Sequence, residues 1–199
     1  MPKLCESEIE KMAIEELVEL GYTYLSGPDI APDALFTERN SYSEVLLRKR
    51  LTDAVVRLNP NLSYDVVLEA VNKVARISSS NLIADNETFH KMLVDGVPVE
   101  YRKNGEIVGD YVRLVDFSEE GTDNNEFLVV NQFTVIENNN NKRPDILLFI
   151  NGIPMVLFEL KNPADENATI RKAYDQICTY KATIPSLFTY NEICVISDG

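Results

Sequence analysis

Helical spacing of apolar positions dominates the first half of the chain, and strand-like spacing dominates the second. Glu8 to Leu20 is predicted to form a helix, with Ser7 as its cap and Gly21 as its stop. Gly27 to Asn40 reads as loop. Helical periodicity resumes over Ser43 to Leu58 and Ser63 to Ile77, separated by Asn59-Pro60-Asn61, and Asn86 to Val94 is a shorter helix. Period-two patterns then take over. Val97 to Arg102, Glu106 to Asp116 and Phe127 to Glu137 read as strands, joined by a turn at Asn104-Gly105 and by the polar Glu119 to Asn125 segment. The four-asparagine tract Asn138 to Asn141 reads as a solvated loop.

The next block is the most apolar. Asp145-Ile146-Leu147-Leu148-Phe149-Ile150 and Pro154-Met155-Val156-Leu157-Phe158-Glu159-Leu160-Lys161 are predicted strands covered on both faces, joined at Asn151-Gly152 as a hairpin. A proline-free and glycine-free helix follows over Glu166 to Ala182, then a buried strand at Ile193 to Ile196. The resulting order of strand, strand, helix, strand implies an α/β domain with a mixed central sheet flanked by helices.

Buried strands do not carry Asp, Glu and Lys near their ends without a use for them. Alternation puts Glu159 and Lys161 on one face, and an odd loop length is needed to bring Asp145 to it. A three-residue loop Ile150-Asn151-Gly152 would pair Phe149 with Ile153 and set Asp145 opposite Leu157, diagonal to Glu159. Two converging carboxylates are hard ligands suited to Mg²⁺, leaving most of its coordination shell to water and phosphate oxygens. Lys161 would add a positive charge able to orient or help deprotonate the attacking water and to offset charge on a pentacovalent phosphorus. The pattern therefore points to hydrolysis of DNA phosphodiester bonds. On the following helix, Gln176 and Tyr180 are four apart and share a face beside Ala173 and Ile177.

Composition narrows the alternatives. The chain has 199 residues, 45% of them hydrophobic, without a twenty-residue apolar run or a cleavable leader, as expected of one cytoplasmic globular domain with no membrane partner. Cys5, Cys178 and Cys194 fit reduced structural thiols and are too few for a four-cysteine iron–sulfur site. The single histidine, His90, excludes chemistry built on several histidines, and neither a Gly-x-Ser-x-Gly elbow nor a phosphate-binding Gly-x-x-x-x-Gly-Lys loop occurs. Net charge is −13, which opposes DNA affinity. The distribution is uneven: residues 142–181 hold 6 basic and 5 acidic side chains, whereas residues 1–141 hold 13 and 25. Such a domain binds DNA poorly alone, and other domains or subunits must deliver it.

Against this background the chain resembles the amino-terminal nuclease domain of the motor (R) subunits of type I restriction enzymes, members of the PD-(D/E)xK superfamily. The resemblance is carried by Gly21-Tyr22, Gly27-Pro28-Asp29-Ile30-Ala31-Pro32-Asp33, Leu58-Asn59-Pro60, Leu93-Val94-Asp95-Gly96-Val97, Val130-Asn131-Gln132-Phe133, Arg143-Pro144-Asp145, Glu159-Leu160-Lys161-Asn162-Pro163-Ala164-Asp165, Gln176-x-x-x-Tyr180 and Ile196-Ser197-Asp198-Gly199. It implies a restriction-endonuclease-like fold and a Mg²⁺-dependent endonuclease, with Mn²⁺ as a substitute ion. In such a domain Asp145, Glu159 and Lys161 occupy the catalytic positions, while Gln176 and Tyr180 support the site or contact DNA. An acidic residue of the first helix completes the metal site; Glu10 is the choice here, with Glu6, Glu8 and Glu15 as the others. The resemblance further implies methyltransferase and specificity subunits as partners, and helicase-like domains downstream that would use ATP. Residues 1–199 are then one nuclease domain of a longer subunit, with residues 39–125 a helical and hairpin elaboration and residues 126–199 the catalytic block. Two other readings stay open: a noncatalytic docking domain coupling a DNA motor to its partners, and a structure-specific DNA resolvase.

Overall fold

A computed structural model describes residues 6–119, 121–162 and 170–197. Cys5, residues 163–165, the start of the helix expected from Glu166, and Asp198-Gly199 lie outside the described residues, as does the side chain of Glu6. In chain order the elements are α1 (Glu6–Glu19), β1 (Thr23–Ser26), a single 3₁₀ turn (Gly27–Ile30), α2 (Arg48–Leu58), α3 (Tyr64–Ala75), α4 (Leu82–Asp95), β2 (Val97–Lys103), β3 (Glu106–Val112), the short α5 (Gly121–Asn124), β4 (Phe127–Asn131), β5 (Val135–Glu137), β6 (Asn140–Lys142), β7 (Ile146–Ile150), β8 (Ile153–Leu160), α6 (Ile170–Thr183), the short α7 (Pro185–Phe188) and β9 (Ile193–Ser197).

A five-stranded sheet in the order β1-β4-β7-β8-β9 forms the centre, with β4, β7 and β8 antiparallel and the outer pairs β1–β4 and β8–β9 parallel. Helices cover both faces, so the mixed central sheet flanked by helices is present as expected. One face carries Leu128, Val130, Leu147, Phe149 and Leu157 into the main core with α2, α3, α4 and Tyr180 of α6. The other carries Val129, Ile146, Leu148 and Leu160 into a smaller core against Ile9, Ile14 and Leu17 of α1.

Several boundaries differ from the periodicity, each for a local reason. Helix α2 starts at Arg48 rather than Ser43, because the buried Leu47 spends its N–H on the Gly152 carbonyl at 2.9 Å. Helix α4 starts earlier than Asn86, where the Asn81 side chain caps the N–H groups of Ile83 and Ala84. Strand β3 ends at Val112, since the Asn59 amide takes both the N–H and the carbonyl of Arg113 at 2.9 Å each. The strand expected over Phe127 to Glu137 is two strands. Gln132 adopts φ 54° and turns the chain, and Arg39, 3% exposed, stacks 3.7 Å over Phe133 and donates to the Thr134 carbonyl at 2.8 Å. Asn138 and Asn139, at φ 49° and 64°, form the tight turn between β5 and β6. Strand β1, too short to show a period, had no sequence signal.

The β7–β8 hairpin corrects the expected loop. Ile150 pairs with Ile153 across a two-residue turn whose Asn151 and Gly152 lie at φ 52° and 80°. Phe149 faces Pro154, then Leu148 faces Val156, so Met155 is a bulge. Its carbonyl is taken by the N–H of Glu192, just before β9, at 2.8 Å. Beyond the bulge Leu147 faces Leu157 and Ile146 faces Phe158. Asp145 is therefore opposite Glu159, not Leu157.

The turn itself is buried. Asn151, 0% exposed, accepts from the Glu126 N–H at 2.8 Å and donates to the Leu114 carbonyl at 2.9 Å and to Asn125 Oδ1 at 2.8 Å. A Cβ on Gly152 would sit 2.6 Å from the Leu47 carbonyl oxygen and 2.9 Å from the Leu51 nitrogen. Gly152→Ala should therefore lower stability by about 2 kcal/mol or more, from left-handed strain plus the clash. Chemical denaturation of the two proteins checks this, and an unchanged midpoint would show that the hairpin tip is not locked.

Candidate metal-dependent active site

The end of the hairpin remote from its turn gathers the polar residues. The Leu160 N–H donates to Asp145 Oδ2 at 2.7 Å, which holds that side chain across the strand pair just where the ladder ends. Glu159 is 0% exposed and Lys161 9%. Lys161 Nζ donates to Glu159 Oε1 at 2.6 Å, and the Lys161 N–H extends the parallel ladder to the Ser197 carbonyl at 2.9 Å. Because they are two positions apart along one extended segment, Glu159 and Lys161 share the face of Leu157, toward the main core.

From α6, Tyr180 enters this corner. It is 4% exposed, and its hydroxyl accepts from Gln176 Nε2 at 2.6 Å, one helical turn back. Burial foremost holds the phenol well above its ordinary range, and the neighbouring Glu159 and Asp145 carboxylates add to this. Burial likewise lifts Glu159 from an ordinary 4.5 to about 7. The hydrogen bond from Lys161 opposes that rise, while the Asp145 charge adds to it. Tyr180 also bears on this carboxylate, yet Glu159 Oε2 is buried without a partner in hydrogen-bonding geometry among the described residues.

An orphaned buried anionic oxygen is costly, by about 1–3 kcal/mol or more, unless a ligand occupies it. The donor set fits a hard divalent cation: two carboxylates set opposite each other, one with an oxygen uncommitted to any donor, beside an ammonium. Among the described residues no three His, Cys, Asp or Glu side chains converge on one point. Glu10 stands apart from the pair. It projects from α1, on the opposite sheet face, and its carboxylate is held by two amides at the end of β4: Asn131 Nδ2 to Oε1 at 2.6 Å and Gln132 Nε2 to Oε2 at 2.8 Å. The Gln132 N–H in turn donates to the Asp145 carbonyl at 3.0 Å.

Asn131 and Gln132 were not singled out for a role by the sequence. The signal available was the one used for Asp145, polar residues at the end of the apolar run Leu128 to Val130. His90 is exposed and meets Glu192 at 3.0 Å, and Cys178 and Cys194 are free thiols.

Residues 3–199 match the family described as type I restriction enzyme R protein N terminus. Over 197 residues the chain is 42% identical to a protein of Haemophilus influenzae named as the HindI type I restriction enzyme endonuclease subunit, covering 98% of this chain and 18% of that protein. Over 194 residues it is 38% identical to a protein of Methanocaldococcus jannaschii provisionally named as the MjaIXP type I restriction enzyme endonuclease subunit, covering 96% of this chain and 18% of that one. The chain thus spans about a fifth of the length of these relatives.

The raised pKa of Glu159 gives a stability signature. A carboxyl protonated more readily when folded contributes stability below its unfolded value, near 4.5, and loses it as pH rises through about 7. Wild-type melting temperature should fall between pH 5 and pH 8, and Glu159→Gln should flatten that slope. Equal slopes for the two proteins would show that Glu159 titrates normally.

Proposed function

The chain belongs to the type I restriction enzyme R protein N-terminus family, and we propose that it is the DNA-cutting module of such an enzyme. The reaction is divalent-metal-dependent hydrolysis of phosphodiester bonds, without sequence reading by this domain. The observation that carries the proposal is the buried Glu159 carboxylate, with one oxygen on Lys161 and the other unpartnered, set opposite Asp145.

Asp145 and Glu159 would hold Mg²⁺, or Mn²⁺ in its place. When bound, the ion polarises the phosphodiester and stabilises the leaving oxygen. The residues do the rest. Burial of Glu159 keeps bulk water from its oxygens and strengthens every charge interaction in the corner. Lys161 Nζ, fixed on Glu159, orients the attacking water and offsets negative charge as the new O–P bond forms and the bond to the leaving oxygen breaks. Protons on Nζ have an acceptor in Glu159 Oε1, so the ammonium stays pinned rather than folding back over the substrate. Tyr180, locked by Gln176, forms the wall behind the carboxylate.

With net charge −13 the domain repels a phosphate backbone, which suits a module to which DNA is delivered. In the longer subunit, helicase-like domains would supply that delivery using ATP, with methyltransferase and specificity subunits choosing the site, all in the cytoplasm. No helix among the described residues is long and apolar enough to cross a membrane.

The test is to assemble the full-length subunit with its partners and measure DNA cutting and ATP hydrolysis in parallel. Asp145→Ala, Glu159→Ala and Lys161→Ala should each reduce cutting by about 10²-fold or more while ATP hydrolysis persists. Wild-type cutting by the Lys161 variant would refute its role. Wild-type cutting by all three would leave a docking domain.

A further inference from the structure

We propose that Gln132 is a positioning residue of this site, tethering the first-helix carboxylate Glu10 to the start of the strand that carries Asp145; the inference rests on the nuclease reading above. Gln132 uses both halves of itself. Its backbone N–H donates to the Asp145 carbonyl at 3.0 Å and its side-chain amide to Glu10 Oε2 at 2.8 Å. One residue thus links the helix on one sheet face to the backbone of Asp145, at the start of the strand that carries the pair. Asn131 completes the clamp, with Nδ2 on Glu10 Oε1 at 2.6 Å and its Oδ1 held by the Tyr24 hydroxyl at 3.0 Å.

Two features mark the tether as more than a fastening for α1. Helix α1 is already anchored by Ile9, Ile14 and Leu17 in the smaller core. Gln132 is also held in a left-handed conformation, φ 54°, where glycine is favoured. Strain of this kind persists where the surroundings over-determine it and concentrates at functional sites. The surroundings do so here: a Cβ on Gly27 would lie 2.7 Å from the Gln132 carbonyl carbon and oxygen, and Arg39 grips the next two residues. An ionised carboxylate has about four acceptor positions, and the two amides use one on each oxygen. Glu10 is left oriented by the two amides, with acceptor capacity for a water bound to the ion.

The experiment uses the full-length subunit and four variants: Gln132→Gly, which suits the left-handed backbone and deletes the amide; Gln132→Asn, which keeps an amide and tolerates that backbone; Glu10→Gln; and the Glu10→Gln, Gln132→Gly double variant. Mn²⁺ affinity is read by electron paramagnetic resonance, and the Mg²⁺ requirement for DNA cutting is read in the assembled complex. Gln132→Gly should weaken Mn²⁺ binding about 10-fold at unchanged melting temperature, as loss of an outer-shell partner does, and Gln132→Asn should recover part of it. In the Glu10→Gln background the Gln132→Gly change should have no further effect. Wild-type Mn²⁺ affinity in Gln132→Gly, or an equal loss with and without Glu10, would overturn the inference. Mn²⁺ binding that follows this pattern in a complex that cuts no DNA would overturn the nuclease reading while upholding the tether. A wild-type subunit that binds no Mn²⁺ would overturn both.

Discussion

Thirteen residues lie between Asp145 and Glu159, and two strands joined by an even turn can set the pair face to face only if one residue stays unpaired. Everything at the candidate site depends on how that odd residue is absorbed. The chain places it at Met155, directly after Pro154. Had the strands stayed in register from Ile150–Ile153 onward, Asp145 would have faced Phe158, and Glu159 would have been turned to the opposite face of the sheet. The buried turn keeps the register from slipping: Asn151 is satisfied on both sides of its amide, and Gly152 is pressed against the start of α2. The bulge is kept by Glu192, just before β9, whose N–H donates to the Met155 carbonyl. Site geometry is thus held from the far end of the hairpin, by contacts with no chemical part in the reaction.

That distance separates two opposing demands. An ionised carboxylate with no solvent access loses several kcal/mol of hydration, and a single ammonium on one oxygen returns only part of it. The site is therefore a net destabilising feature in the absence of a further cation, which is what the lifted Glu159 pKa reports. The surrounding strands bear this because β7 and β8 are buried along almost their whole length, from Ile146 to Leu160. Had the strained register and the unpaired oxygen shared one element without such cover, either could relax by exposing the other.

The hydrophobic pattern made the hairpin, α6 and β9 legible because each is long or continuous in its apolar run. It also made the two carboxylates legible, since charge at the end of a buried strand has few bland uses. The residue facing Asp145 was not legible, because a three-residue loop and a two-residue turn with a bulge satisfy the same parity and differ only in which backbone groups pair. Nor were the elements set by single side chains. Asn59 ends β3 by imitating a neighbouring strand, and Arg39 with Gln132 diverts β4 into a separate hairpin. Such side chain to backbone substitutions leave no period in the sequence. Glu10 was read from the resemblance alone, and its position on the other side of the sheet shows why periodicity had no view of it.

The acidic balance of the chain takes on a physical sense once the site is placed. Most of the excess negative charge lies in residues 1–141, in the layers around the sheet, whereas the block carrying Asp145, Glu159 and Lys161 is close to neutral. A phosphate backbone meeting the free domain would be repelled over most of its surface, and counterion release, which drives nonspecific binding, would be small. A cation held by the carboxylates changes the sign of the potential only locally, within about a Debye length of 8–10 Å. Productive contact then requires DNA to be brought to that corner and held there by something else. On the proposed reading, low intrinsic affinity is the means by which a nuclease without sequence preference stays harmless until a partner has chosen the DNA.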